Sequence, residues 1–273
     1  MSKPSYYYGR PPRRDARCVD VIEAFSERES LKSARTSSLP LVQFWNDDEK
    51  LPERVIGISK ACNKLEILSE ESTLCFEYAV PVGKGKGKAS MTDLMIITRN
   101  HAIAIEAKFT ECKNKYETID DWLKKGNERN RKEVLQGWLD YILAIDNALQ
   151  IKTADDLIGK KIPYQMLHRI ASACKVAHDN NLSPVVIYQL FYEKNEKPIK
   201  GGRSKIVTEA VVDKFAKKLN DAKRELGLHD VIQFYVVKTC THCISKGYSR
   251  DCLNALFDDI KNGEKIYLFK EIN

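Results

Sequence analysis

Two carboxylates and a lysine stand where a pair of strands would gather them. Asp93 opens one apolar run, and Glu106-Ala107-Lys108 closes the next, Ala102-Ile103-Ala104-Ile105. Acids directly opposite each other on neighbouring strands lie ~4.5–5.5 Å apart at Cβ, where like charges repel. A divalent cation between them removes that repulsion. Hard oxygen ligands in a small cluster suit Mg²⁺, which keeps several waters and takes its remaining ligands from phosphate. A lysine beside the cation lowers the cost of forming hydroxide, or stabilises charge developing on phosphate. The chemistry that these types support is hydrolysis of a phosphodiester.

A hairpin must position them. Arg99 and Asn100 separate the two runs, and Asn tolerates the positive φ of tight turns. If those two residues form the loop, Thr98 pairs with His101 and Asp93 lies opposite Glu106. Sliding the loop by one residue sets Asp93 opposite Lys108 instead. Side chains alternate along a strand, so Asp93, Glu106 and Lys108 share a face in either register. The tripeptide by itself is cheap: Asp48-Glu-Lys50, Glu111-Cys-Lys113 and Asp221-Ala-Lys223 also satisfy it. None of those follows an apolar strand paired to an Asp-bearing one.

The pattern resembles the PD-(D/E)XK nuclease superfamily, the restriction-endonuclease-like fold. Thr92-Asp93 takes the P-D position without the proline, and Glu106-Ala107-Lys108 is the (D/E)XK element; the resemblance runs roughly from Leu74 to Tyr192. It implies that Asp93, Glu106 and the Ala107 backbone carbonyl bind one or two Mg²⁺ ions, with Mn²⁺ as a substitute. It also implies that Lys108 assists the attacking water and that cleavage leaves a 5′-phosphate. The expected activity is an endonuclease acting on DNA in restriction, defence or repair. A homodimer would let one site per chain cut both strands.

Other residues are candidates for the same chemistry. Glu77 interrupts the apolar strand Phe76-Glu-Tyr-Ala-Val80, as a third acidic ligand, a water orienter or a salt-bridged edge residue. Glu70 and Glu71 resemble the extra acid that some family members supply from a first helix. Gly83-Lys-Gly-Lys-Gly-Lys88 offers Lys84, Lys86 and Lys88 to a phosphate backbone, or forms a flexible solvated hairpin. It is not a Walker A loop, because Ala89 follows Lys88. Gln136 and Gln165 are alternatives for the helical glutamine of the family. Arg169 and His168 are phosphate contacts or part of a solvated helix face. Cys240, Cys243 and Cys252 form an incomplete zinc pattern, better read as free thiols.

Length and charge agree with a polyanion-binding globular protein: 273 residues with a formal charge of +7. No apolar run approaches the ~20 residues that cross a bilayer, and the N-terminus lacks the apolar core of a signal peptide. The expected compartment is the cytoplasm, where the eight cysteines stay reduced. A rival class is a non-catalytic nucleic-acid-binding module with the same fold. A third is a zinc-stabilised DNA-binding protein.

Periodicity supplies the scaffold. Residues 1–16 read as a flexible basic arm, followed by one domain over 17–273, with a core at about 56–192 and an extension at about 205–273. Within it, a short helix is expected around Val21–Leu31, an apolar contact region at Leu39–Trp45 and a helix over Ile56–Leu68. Strands are expected at Leu74–Val82, Met91–Thr98, Ala102–Phe109, Pro184–Tyr192, Val231–Val237 and Lys265–Phe269. Helices are expected through Leu135–Leu149, from Pro163 through Cys174, through Val211–Leu226 and after Ser249. The fold class is α/β: a central mixed sheet flanked by helices, with a restriction-endonuclease-like core and helical elaborations at both ends.

Overall fold

The computed structural model describes residues 4–9, 18–26, 36–69, 71–194, 207–243, 259, 262 and 264–273 (backbone alone at 18–20, 26 and 243). In chain order the elements are β1 (Ser5–Tyr8), α1 (Cys18–Ser26), α2 (Ser38–Trp45), α3 (Leu51–Ala61), β2 (Thr73–Val80), β3 (Ser90–Ile97) and β4 (His101–Lys108). They continue with α4 (Ile119–Leu123), α5 (Glu128–Leu143), α6 (Tyr164–Asn180), β5 (Ser183–Tyr192), α7 (Glu209–Leu226), β6 (Gln233–Cys243) and β7 (Tyr267–Ile272). Among the described residues, seven strands form one mixed sheet in the order β1 to β7.

The middle of the sheet is an antiparallel meander, β2–β3–β4, followed by β5 and β6 running parallel to β4. Parallel neighbours need a crossover, and α5–α6 supply it between β4 and β5. Strand β5 is buried along nearly its whole length, as a central parallel strand covered on both faces must be. Helix α6 packs on β3, β4 and β5. The Trp45 indole of α2 donates to Gln189 of β5 at 2.9 Å, so α2 covers the opposite face from α6.

Several boundaries differ from the expected ones. The helix expected over Ile56–Leu68 starts at Leu51, with Pro52 in its first turn, and stops at Ala61. Asn63 and Lys64 there adopt φ of 54° and 66°, which no helix continues through. The contact region at Leu39–Trp45 is itself helical, and the helix through Leu135 ends at Leu143, short of Leu149. Helix α6 begins after Pro163, as expected, and ends at Asn180, capped by Asn181 with φ 53°.

The arm expected to be flexible contains β1. Its four residues run parallel to β2, with Tyr6 5% exposed. The strand satisfies backbone groups that β2 would otherwise present as an open edge. The helix expected after Ser249 lies outside the described residues, apart from a helical Asp259.

Candidate active site

The hairpin between β3 and β4 closes in the register that sets Asp93 against Glu106. The Thr98 amide donates to the His101 carbonyl at 2.9 Å, and Ile97↔Ala102 through Leu94↔Ile105 pair in sequence. The ladder then stops. The next pair would be Asp93↔Glu106, and on the other side of β3 the Glu77↔Asp93 pair is missing from an otherwise continuous register. Glu77 lies in mid-strand with φ 50°, a conformation that costs a non-glycine residue ~1 kcal/mol or more.

This break re-aims side chains. Strict alternation would set Thr92 on the face of Leu94 and Ile105, away from Glu106. Instead, the Arg169 guanidinium of α6 donates to both Thr92 Oγ1 and Glu106 Oε2. The Asp93 carboxylate turns in towards β4, where its Oδ2 accepts the Ala107 amide at 2.8 Å. It thus replaces a ladder bond that β3 no longer makes. The N–H and C=O of one strand residue project to the same edge, so the Ala107 carbonyl is directed to the Asp93 side.

Glu106 is fully buried and carries four donors. Arg169 binds Oε2 through Nε at 2.7 Å and Nη2 at 2.5 Å; Oε1 accepts Lys108 Nζ at 2.5 Å and the Gln165 side-chain amide. Burial alone would raise the Glu106 pKa, but Arg169 and Lys108 together outweigh it and hold the carboxylate below its usual range. Two negative charges cannot easily coexist here. Asp93, the less strongly partnered acid, is therefore raised, first by burial and then by Glu106. Burial pulls Lys108 down, yet Glu106 and Asp93 prevail and raise it. The lysine is consequently an ammonium, suited to stabilising negative charge and not to accepting a proton.

Lys108 and Gln165 open onto a cavity of about 330 Å³ beside Tyr164, His168 and Tyr188. His168 Nδ1 lies 2.7 Å from Ser90 Oγ. Burial, reinforced by Arg169, depresses its pKa to about 3, so the ring is neutral.

The other candidates are dispersed. Glu77 lies near enough to Asp93 to raise its pKa, and it is not on an edge strand, because β1 covers β2. Gln165 reaches the cluster, whereas Gln136 does not. The Gln136 side chain instead binds Asp140, the Lys152 carbonyl and the Ala154 amide, clamping the loop after α5. Arg169 is 1% exposed and also donates to the Met91 carbonyl, so it positions Glu106 and cannot contact a nucleic-acid backbone. Lys84 pairs with Asp140 at 2.6 Å, while Lys86 and Lys88 line a second cavity. Glu71 is exposed, and Glu70 lies outside the described residues.

Thr92, Ser90 and His168 are the positions that sequence reasoning left out or read as solvated. A signal was present for His168 and Arg169: Gln165 and Arg169 are four apart on one helix, with His168 between them on the same side.

For the metal that the resemblance implies, the fit is partial. The Ala107 amide uses Asp93 Oδ2 and leaves Oδ1 to the side towards which the Ala107 carbonyl is directed. All four lone-pair positions of Glu106 are occupied by donors, so Oε1 becomes a ligand only when Gln165 and Lys108 withdraw. Among the described residues, no three His, Cys, Asp or Glu side chains converge on one point. Cys240 is a buried free thiol, as are Cys62, Cys75, Cys112 and Cys174, while the Cys243 side chain and Cys252 lie outside the described residues.

Residues 16–241 match the family described as Domain of unknown function (DUF6946). The chain belongs to that family. No curated protein and no solved structure matches it. The family match spans the whole cluster, from β2 through most of β6, and leaves β1 and β7 outside. Among the described residues, no helix is long and apolar enough to cross a membrane.

Proposed function

We propose that this chain is a Mg²⁺-dependent DNA nuclease of the PD-(D/E)XK type, an endonuclease serving restriction, defence or repair. The observation that carries the reading is the interrupted ladder at Asp93, which gathers Asp93, Glu106 and Lys108 beside a solvent-reaching cavity. A purely structural Glu106–Lys108 pair would need no break in the β3 ladder and no second, half-buried acid beside it. The order of the core also supports it: a meander carrying Asp93 and Glu106, then crossover helices, then a parallel strand.

A bound Mg²⁺ would neutralise phosphate charge and acidify a coordinated water. Asp93 Oδ1, the Ala107 carbonyl and Glu106 Oε1 would hold it. Arg169 keeps Glu106 ionised and oriented through Oε2, so the release of Oε1 does not free the whole carboxylate. Lys108 stays protonated and supplies a fixed positive charge where the phosphate gains negative charge. His168, neutral and hydrogen-bonded to Ser90, adds a polar group to the wall without adding charge.

One observation favours a second reading, a nucleic-acid-binding module without cleavage. Glu106 is already satisfied by Arg169, Gln165 and Lys108, as a purely structural buried acid would be. Incubating the protein with plasmid and linear DNA, with Mg²⁺ and with chelator, separates the two. Nuclease activity requires Mg²⁺-dependent cleavage that Asp93→Ala and Lys108→Ala abolish. A binding module retains DNA in chelator and cleaves neither form.

A further inference from the structure

A second cavity, of about 490 Å³, adjoins the one that holds Lys108, and the two share Trp122, Tyr164 and His168 as a common wall. That wall is an ordered column. Arg131 lies 4.4 Å from the Trp122 ring centre, Trp122 stacks on Tyr164 at 3.9 Å and 11°, and His168 meets Tyr164 edge-on at 5.0 Å. The far side of the second cavity is the Gly-Lys segment between β2 and β3.

That segment is not the loose hairpin its glycines suggest. Asn130 of α5 clamps it, its side chain accepting the Lys86 amide at 2.7 Å and donating to the Lys86 carbonyl at 2.8 Å. Gly83 and Gly137 let the two backbones meet, and a Cβ on Gly137 would lie 2.4 Å from the Lys84 nitrogen. Gly85 uses φ 71° to make the turn. Lys84 is spent on Asp140, but Lys86 and Lys88 have no ion pair among the described residues and both line the cavity.

A fixed loop with two uncompensated lysines faces a column of rings across a space within the ~300–1,000 Å³ range of small-ligand sites. Lysines suit a phosphate, and the edges of the column, whose Trp122 faces are taken by Arg131 and Tyr164, suit the face of a flat aromatic base. We infer that this second cavity binds an unpaired nucleotide of the substrate strand, so that the protein acts on single-stranded or frayed DNA in preference to continuous duplex. A paired base is stacked within its helix and cannot enter such a space without being extruded. The shared wall places the neighbouring phosphate towards Lys108. The inference deepens the nuclease reading and rests on it for the cleavage step, though not for binding.

Fluorescence anisotropy of the full-length protein in chelator tests it, with one labelled oligonucleotide presented as a single strand and as a blunt duplex. The single strand is expected to bind at least ~10-fold more tightly. Trp122→Leu should lower single-strand affinity ~10-fold and leave duplex affinity unchanged, because only an unpaired base enters the cavity and meets the edge of the ring column. Lys86→Gln/Lys88→Gln touches exposed side chains alone, so it keeps the fold. It should make the slope of log affinity against log salt shallower by ~0.7 for each phosphate that a lysine no longer neutralises. Equal affinity for the two DNA forms, or a Lys86/Lys88 variant with unchanged salt dependence, overturns the inference. If the single-strand preference holds but no DNA is cut with Mg²⁺, the nuclease reading fails and the nucleotide cavity stands. If cleavage is seen with no preference, the cavity assignment alone fails.

Discussion

Arg169 holds Glu106 by one oxygen. Its Nε and Nη2 both address Oε2, at 2.7 and 2.5 Å, and leave Oε1 to Lys108 and Gln165. One carboxylate thereby has one oxygen fixed against α6 and the other held by Lys108 and Gln165, the two residues that line the cavity. Both partners are essentially inaccessible, so the pair is subject to the energetics of buried charge and not to those of surface salt bridges.

Removing only the arginine should therefore be severe. Arg169→Met leaves Glu106 buried with half of its donors gone, and a loss of ~3–5 kcal/mol is expected. The double variant Arg169→Met/Glu106→Gln removes both charges and should recover much of that loss. Urea denaturation of wild type, Arg169→Met, Glu106→Gln and the double variant measures the coupling; strictly additive losses would contradict it.

Gly137→Ala should push the Gly-Lys hairpin off α5. The new Cβ would lie 2.4 Å from a backbone nitrogen, which cannot rotate away as a side chain would. A cost of ~1–3 kcal/mol is typical of such overpacking. Hydrogen exchange should show faster exchange at the Lys86 amide, which Asn130 protects in the wild type. Unchanged exchange there would mean that the hairpin is not held by this contact.

His168 should make the fold acid-sensitive. In the unfolded chain it takes up a proton near its ordinary 6.5, but in the fold the proton is refused until about 3. A depressed folded pKa contributes stability that is present above ~6.5 and is lost as the pH falls from there towards 3. In an Asp93→Asn background, which removes the opposing titration of Asp93, denaturation midpoints should fall between pH 7.5 and 5.5, and adding His168→Asn should lessen the fall. Parallel pH profiles for the two proteins would rule out His168 as the cause.

Asp93 behaves in the opposite sense. Its folded pKa is raised, to about 8, so the unfolded chain releases the proton first and stability falls as the pH rises from ~4 through 8. In chelator, Asp93→Asn should remove that fall while keeping an oxygen for the Ala107 amide. Mg²⁺ should raise the wild-type melting temperature and leave that of Asp93→Asn unchanged, because only a ligand that binds the folded state stabilises it. Equal shifts in the two proteins would place the cation elsewhere.

Much of the scaffold was legible in the residues, and the site was legible in part. The alternating and apolar runs located six strands, and Arg99-Asn100 narrowed the β3–β4 hairpin to two registers, of which the structure has the one that sets Asp93 against Glu106. What pattern could not convey is the break at Glu77 and Asp93. Alternation assumes an unbroken pleat, whereas Glu77 has a positive φ and the pairs beside Asp93 are absent where the acids Glu77, Asp93 and Glu106 meet. The same limit applies to Arg169. On a helical wheel it could as well be solvated, and only the docking of α6 on β3 and β4 buries it against Glu106. Strand β1 is not legible because its four residues lie between Lys3-Pro4 and the basic, proline-containing Arg10-Pro-Pro-Arg-Arg14, a context that reads as disorder.

The most direct test of the account is single-turnover cleavage of plasmid and single-stranded DNA with Mg²⁺, comparing wild type with Asp93→Ala, Lys108→Ala and the exposed control Lys217→Ala. The account predicts Mg²⁺-dependent products with 5′-phosphate ends, the loss of at least ~100-fold in rate in the first two variants and none in the control. Cleavage that is equal in all four proteins, or absent from wild type on every substrate, would contradict it.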